Sequence, residues 1–469
     1  MSDLTLDKEK LFERARRALP DDGPAKAGPH QQSAKAGPHQ QSAKAGPHQQ
    51  SVGSGFSRTV DSQTRAFFVP GRLEVLGKHT DYAGGRSLLC TVERGICLVS
   101  KPRDDDRVRI VDAQDGSTVT CRIDPDLSSS VGDWSNYPFT VVRRVARNFP
   151  GARRGVDIAF ASDLPPAAGM SSSSALMIAT FFAVADANSL DQTDKYRREI
   201  RNAEELAGYL ATVENGQDFG TLTGERGVGT FGGSEDHTAM LCCRAGHLSE
   251  YSFCPVHYER SVPFSDRYVF VIGVSGIAAE KTGAARDRYN RASLATQRIL
   301  ALWREATGRD DGSLAAAVHS DAGASDRIRD ILRRSTDREF TPALLLNRFD
   351  QFVEESDVLV PSVVDLFARG DVDRLGPLVD RSQDAAERLL RNQIAETVGL
   401  ARSARALGAL AASAFGAGFG GSVWALVPEA GAAEFEARWA SEYRRRFPAV
   451  AGSARFFSTR PGPPAMRVA

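Results

Sequence analysis

LPPAAGMSSSSALMIATFF, residues 164–182, is the stretch from which the rest of the chain is read. An alternating, strand-like segment at 156–161 runs into Pro165-Pro166, and Gly169 opens a run of small residues. The serines at 171–174 then lead straight into an apolar segment with helical character. A helix N-terminus leaves backbone N–H groups without partners and carries partial positive charge. Small residues let a polyphosphate come close to those groups, and serine hydroxyls can add hydrogen bonds or a magnesium ligand. Simple N-capping explains one serine. Four in succession after Ala-Ala-Gly-Met point to phosphate binding.

Two further loops are rich in glycine. ASAFGAGFGGSVWALV (412–427) contains G-x-G-x-x-G at Gly416, Gly418 and Gly421. A dinucleotide fingerprint requires a helix next and an acidic residue about twenty positions on, but SVWALV reads as a strand. A protein-kinase glycine loop needs a catalytic lobe after it, and too little chain remains. A tight turn between strands is the plain alternative. VPGRLEVLGKHTDYAGG (69–85) follows a strand at 65–69 and crowds Arg72, Glu74, Lys78, His79, Asp81 and Tyr82 among glycines. It misses the P-loop pattern by one residue of spacing and by His79 where Ser or Thr is needed. It reads as a ligand-lining turn, with a charged surface turn as the alternative. In GTFGGSEDHTAML (229–241), Ser234 with Glu235 and Asp236 would ordinarily cap a helix.

Around these loops, 87–99 reads as extended chain, 134–149 as helix, 268–274 as a buried strand and 423–427 as a strand. Helices are expected at 174–188, 199–214, 278–307, 312–335, 341–367, 371–403 and 432–447. Strands and helices mixed without a regular βαβ beat give an α+β class. At 469 residues the chain suits two or three domains, expected at 56–262 and 263–469. Ahead of them, 1–20 has the spacing of a short amphipathic helix, and AKAGPHQQS repeats at 25–33, 34–42 and 43–51. The repeat has no large apolar residue and reads as a disordered linker; 1–55 is expected to stand apart as a tail. The uncharged run 406–428 contains G-x-x-x-G, yet its glycines suit a loop better than a membrane helix.

Lys+Arg and Asp+Glu balance at 59 each, which gives no argument for nucleic acid or an anionic membrane as partner. Six cysteines without zinc spacing, and an N-terminal stretch without an apolar secretory core, lead us to expect a cytoplasmic protein. The expected partners are small molecules, with the chain a monomer or weak dimer.

Together the three loops resemble the GHMP kinases, and among them the galactokinases. GRLEVLGKHTDY is similar to the galactokinase pattern G-R-x-N-(apolar)-(apolar)-G-E-H-x-D-Y, PPAAGMSSSSA to the family's phosphate loop, and FGAGFGG to its C-terminal glycine motif, in the family's order and at about its spacing. DWSNY (133–137) resembles the W-x-N-Y before the family's first long helix, and the resemblance covers about 60–465. It implies a two-domain GHMP kinase fold: an N-terminal domain like domain 2 of a small-subunit ribosomal protein, plus a C-terminal α+β domain. It also implies ATP-dependent phosphorylation of a sugar, foremost galactose at its anomeric hydroxyl, with Mg2+ as cofactor.

Residue by residue, Asp236 falls on the catalytic aspartate, with His237 in place of Gln, and Arg72 would pair with it. Pro166, Gly169, Met170, Ser171, Ser172, Ser173 and Ser174 would bind ATP, with Ser172 or Ser173 on the metal. Glu74, Lys78, His79, Asp81, Tyr82, Gly416 and Gly418 would line the sugar site. Two departures matter: Lys78 stands where galactokinases have Glu, and Glu74 where they have Asn. A lysine donates only, so a changed sugar such as galacturonate or arabinose is one alternative. A sugar sensor without catalysis is another.

Overall fold

The computed structural model describes residues 6–20, 63–129, 132–279 and 283–468. The AKAGPHQQS repeat lies outside the described residues. The fold is the two-domain α+β architecture of mixed sheets and helices.

The first sheet is built from β1 (Arg65–Leu76), β2 (Arg86–Pro102), β3 (Arg107–Asp112), β4 (Thr118–Arg122), β5 (Val156–Ser162), β6 (His247–Ser252) and β7 (His257–Pro263). β8 (Tyr268–Val274), β9 (Ala411–Phe415), β10 (Ser422–Pro428) and β11 (Arg455–Thr459) form a second sheet, in the order β11-β8-β10-β9. The last strand, β12 (Met466–Val468), returns to the first sheet, whose main path is β12-β1-β2-β5-β3-β4, with β6 and β7 extending from β2. All pairings are antiparallel except β3 with β5. The expected division between 262 and 263 lies in the last residues of β7, and the chain's end pairs Ala66 with Val468 across it.

β8 shows why its sequence is an unbroken apolar run. Phe270, Ile272 and Val274 pack into the large core shared with the first sheet. Val269 and Val271 face the opposite way, onto Trp439 and Tyr443 of the helix Ala432–Arg446. A strand covered on both faces has no reason to alternate. β10 divides likewise, with Trp424 and Leu426 on one side and Val423, Ala425 and Val427 on the other. The uncharged 406–428 run is therefore mostly a β-hairpin, and no helix among the described residues is long and apolar enough to cross a membrane.

The N-terminal helix Leu6–Ala18 is part of the fold and not of a separate tail. Phe12 and Ala15 pack on Ala66, Phe68, Cys97, Val99 and Ala159 of the first sheet, and the Lys8 ammonium pairs with Asp163.

The helix expected at 199–214 is Ala203–Asn215, preceded by a separate short helix, Asp194–Glu199. Two other expected helices are interrupted. The segment at 312–335 is two helices, Leu314–Val318 and Ala324–Arg333. The segment at 371–403 ends at Leu390, where Arg391 takes φ 56°, and resumes at Ala395. Between Pro342–Val353 and Val360–Arg369 the helix widens to a π turn over Glu354–Leu359. Pro361 cannot donate to the preceding turn, and the widened turn turns Glu355 inward. Its Oε1 accepts from the Gly77 and Lys78 amides at 2.9 and 3.3 Å and from the Ser382 hydroxyl at 2.9 Å. That carboxylate anchors the loop between β1 and β2.

Candidate active site

β1 delivers Arg72 and Glu74, and the loop after it delivers His79, Asp81 and Tyr82. Arg72 is 4% exposed. Its Nε donates to Asp236 Oδ1 at 2.7 Å and its Nη1 to the Gly169 carbonyl at 2.6 Å. Its own amide donates to the Met170 carbonyl at 3.3 Å. One guanidinium thus ties the acidic helix Glu235–Cys242 to the serine loop. Burial opposes its charge, but the carboxylates of Asp236, Glu235 and Glu74 outweigh that and hold it firmly protonated.

The same carboxylates suffer from sharing a dry site. Burial pushes the Glu74 carboxyl up to about 7, against the pull of Arg72 and Lys78. Burial, then the charge on Glu74, raises Glu235 well above the usual carboxylate range. Glu74 Oε2 accepts from the Gly416 amide at 3.0 Å, while Oε1 has no hydrogen-bond partner among the described residues. Glu235 Oε2 accepts from the Ser87 hydroxyl at 2.9 Å. The helix cap expected at Ser234 is not made by its side chain; Asp81 Oδ2 takes the Glu235 amide instead, at 3.2 Å.

His79 has φ 60°, and its Nε2 faces the Ala417 carbonyl at 3.1 Å. That nitrogen must carry the proton, so Nδ1 accepts from the Tyr82 hydroxyl at 2.9 Å. Burial pushes the Tyr82 phenol up to about 12, so it remains a donor.

These side chains line a pocket of about 500 Å³ when the solvent at its open mouth is included. Among the described residues Arg72 is the one guanidinium on its wall, against the carboxyl groups of Glu74, Asp81, Glu214, Glu235 and Asp236. His79, Tyr82, Tyr289, Gly416 and Ala417 complete much of the rest.

A second, open cleft of about 1660 Å³ adjoins it, and both have Arg72 and Ala417 on their walls. Pro166, Gly169 and Ser171–Ser173 line its near end, while Ile96, Trp134, Phe160 and Leu176 make an apolar part. The helix Ser172–Ala187 begins at this loop, and the Ser171 side chain does not cap it. The first-turn N–H groups are therefore not claimed by a capping serine. Gly416 has φ 81°, and a Cβ there would come 2.9 Å from the Gly169 carbonyl, so the two glycine loops touch backbone to backbone.

Four of the expected site residues lie elsewhere. Lys78 is 1% exposed and is turned away from the cavity; its ammonium donates to Ser382 Oγ at 2.7 Å and sits 4.0 Å from Glu355. A buried cation needs such a partner, and the π turn supplies it. Met170 is buried in the core. The Ser174 hydroxyl donates to Glu214 at 2.8 Å and contacts Asp236 at 3.4 Å, not the open cleft. Gly418 packs on Asn392, where a Cβ would lie 2.4 Å from a carbonyl oxygen. Conversely, Glu214 and Tyr289 line the cavity although their local sequences, VENG and DRYN, carry no signal. Glu235, first read only as a cap residue, lines it too.

Comparison with known proteins agrees with this arrangement. The family model described as GHMP kinases N terminal domain matches residues 136–221, and GHMP kinases C terminal matches 363–445. A third, the galactokinase galactose-binding signature, matches 54–102. The chain belongs to the GHMP kinases. Among its relatives in this family is a galactokinase of Chloroflexus aggregans, 27% identical over 390 residues, covering 82% of this chain and 89% of the relative. A galactokinase of Actinobacillus pleuropneumoniae is 35% identical over 121 residues, 25% of this chain and 30% of the relative. The solved Lactococcus lactis galactokinase complexed with galactose shares the fold at TM-score 0.71 and 23% identity, over 87% of this chain and 96% of that one. In this GHMP kinase the matched signature spans β1, the following loop and β2, the elements that carry Arg72, Glu74, His79, Asp81 and Tyr82.

Proposed function

We propose that this chain is an ATP-dependent sugar kinase that phosphorylates galactose at its anomeric hydroxyl. One observation carries the reading: a polar pocket and a serine-lined cleft meet at Arg72, with Asp236 on one side and Gly169 on the other. Phosphoryl transfer asks for this kind of positioning and charge stabilisation and for little covalent work by the protein.

In this reading the triphosphate lies along Gly169 to Ser173, and the nucleobase enters the apolar part around Trp134 and Phe160. The sugar lies in the polar pocket with its hydroxyls donating to carboxyl oxygens. Asp236 orients the anomeric hydroxyl and accepts its proton. The hydroxyl oxygen bonds to the γ-phosphorus as the bond from phosphorus to the β-bridging oxygen breaks, and ADP departs. Arg72 faces the charge that builds on the transferring group.

Magnesium is commonly held by one or two protein groups together with substrate phosphates. The Ser172 or Ser173 hydroxyl, on the wall of the serine cleft, would be the protein group that holds it there. When bound, the ion supplies charge neutralisation across the phosphates. Work in a reducing cytoplasm suits six cysteines that form no disulfide.

The carboxylate-rich wall argues against a uronate. A galacturonate carboxylate would enter a cavity bearing five acidic side chains and one guanidinium, and Lys78, the cation that suggested such a substrate, is spent on Glu355. The test is ADP release by the purified chain with galactose, arabinose, galacturonate and glucose. Galactose is expected to be turned over best and galacturonate not at all. Turnover of none of them would refute the reading, and a preference for galacturonate would refute the argument from charge.

A further inference from the structure

A further pocket, open to solvent, lies behind the C-terminal glycine turn, away from the serine cleft. Its volume is about 960 Å³, and it opens between the helices Gly283–Thr307 and Pro342–Val353, the break at 389–392 and Phe419. Among the described residues its wall holds four arginines, Arg288, Arg291, Arg348 and Arg391, and no Asp or Glu. Leu344, Leu389, Leu390 and the Phe419 ring supply apolar surface.

The arginines differ in how far they are engaged. Arg291 donates to the Glu339 carbonyl at 2.8 Å and has that residue's carboxylate at 3.8 Å. Arg288 lies over the Phe419 ring at 4.5 Å, and Arg391 reaches only the Arg388 carbonyl, at 3.5 Å; among the described residues neither has an acidic partner. Arg348 is 3% exposed. Its Nη2 donates to the His79 carbonyl and the Tyr82 hydroxyl and its Nη1 to Gln351, while its Nε has no partner among the described residues. Planar guanidinium groups beside apolar walls suit a phosphate or carboxylate carried on an apolar body.

We propose that this cavity binds a small phosphate ester with an apolar body, and that its occupancy changes the affinity of the neighbouring sugar cavity. The coupling has a visible route. Arg348 grips the carbonyl of His79 and the hydroxyl of Tyr82, both of which line the sugar cavity. Arg288 directly precedes Tyr289, whose ring centre is 5.3 Å from that of His79. The Asn392 carbonyl accepts from the Phe419 amide at 2.6 Å and so fixes the glycine turn. Binding stands on the cavity alone; the coupling rests on the sugar-kinase reading.

Phenyl phosphate serves as probe, titrated by calorimetry into the full chain saturated with a non-hydrolysable ATP analogue, so that the nucleotide cleft is filled. Inorganic phosphate and benzyl alcohol are the comparison arms. Phenyl phosphate is expected to bind more tightly than either, and Arg391→Glu and Arg288→Glu each to weaken it about tenfold or more. Both variants should keep the kcat of the parent at saturating galactose and ATP. Phenyl phosphate should shift the galactose dissociation constant, and galactose should shift that of phenyl phosphate by the same factor.

The proposal is overturned by no binding at millimolar probe, by binding that both charge reversals leave unchanged, or by inorganic phosphate binding as tightly. Equal galactose affinity with and without the probe overturns the coupling. A chain that binds the probe but phosphorylates no sugar would instead count against the functional reading.

Discussion

Replacing Asp236 by Asn removes a proton acceptor and little else. The side chains are the same size, and an amide oxygen can still accept from Arg72 Nε, which lies 2.7 Å from the carboxylate. Arg72 keeps Glu235 at 3.7 Å, and loss of the Asp236 charge, one of the causes that raise Glu235, favours its ionisation beside the guanidinium, so the fold should hold. A positioned general base contributes about 10²–10⁴-fold, or about 3–5 kcal/mol of barrier at about 1.4 kcal/mol per decade. The kcat of D236N should fall by that factor, with the galactose KM moving much less, because the gain arises in the transition state. Coupled ADP release gives both constants, and thermal unfolding by scanning fluorimetry shows whether the variant is intact. An intact D236N with kcat within an order of magnitude of the parent would refute the role given to this carboxylate.

Glu74 predicts a pH dependence of stability. Its folded pKa of about 7 lies above the ordinary 4.5. Its contribution is thus fully present below 4.5 and lost as the pH rises through about 7. Glu74→Gln should flatten that slope, raising Tm above the parent's on the alkaline side and leaving it unchanged at acid pH; a parallel pair of Tm profiles would contradict this. Lys78→Met should cost about 3 kcal/mol in urea unfolding, because Glu355 loses its buried cation, and should leave the order of sugar preference intact; a changed preference at full stability would return Lys78 to the sugar site. Phe12→Ala should cost about 3–4 kcal/mol by emptying a buried site on the first sheet, which denaturant midpoints would report; no loss would mean that the N-terminal helix is not docked.

The loops of this protein were legible because their chemistry is local. Gly169 and the serines after it announce an open helix end, and polar residues crowded between glycines at 71–85 announce a lined turn. The buried strands at 268–274 and 423–427 could be read from unbroken apolar runs. What the sequence hid is long-range. Whether Lys78 faces the sugar or the core depends on Glu355, 277 residues away, and on a π turn that no local pattern marks. Glu214 and Tyr289 join the cavity only because two distant helices converge there. The helix break at Arg391 has neither Gly nor Pro beside it, and its reason is the Asn392 carbonyl that receives the Phe419 amide. The N-terminal helix looked separable because its apolar stripe is short; its partners, Ala66 and Phe68, lie beyond a repeat with no large apolar residue.

The most direct test of the account is the position of the new phosphate. Galactose labelled with carbon-13 at C1, incubated with the purified chain, ATP and magnesium, should yield a product whose C1 and phosphorus resonances are coupled to each other. A phosphate attached at any other carbon, or none formed while the folded chain binds ATP, would contradict a carboxylate at 236 facing the anomeric hydroxyl.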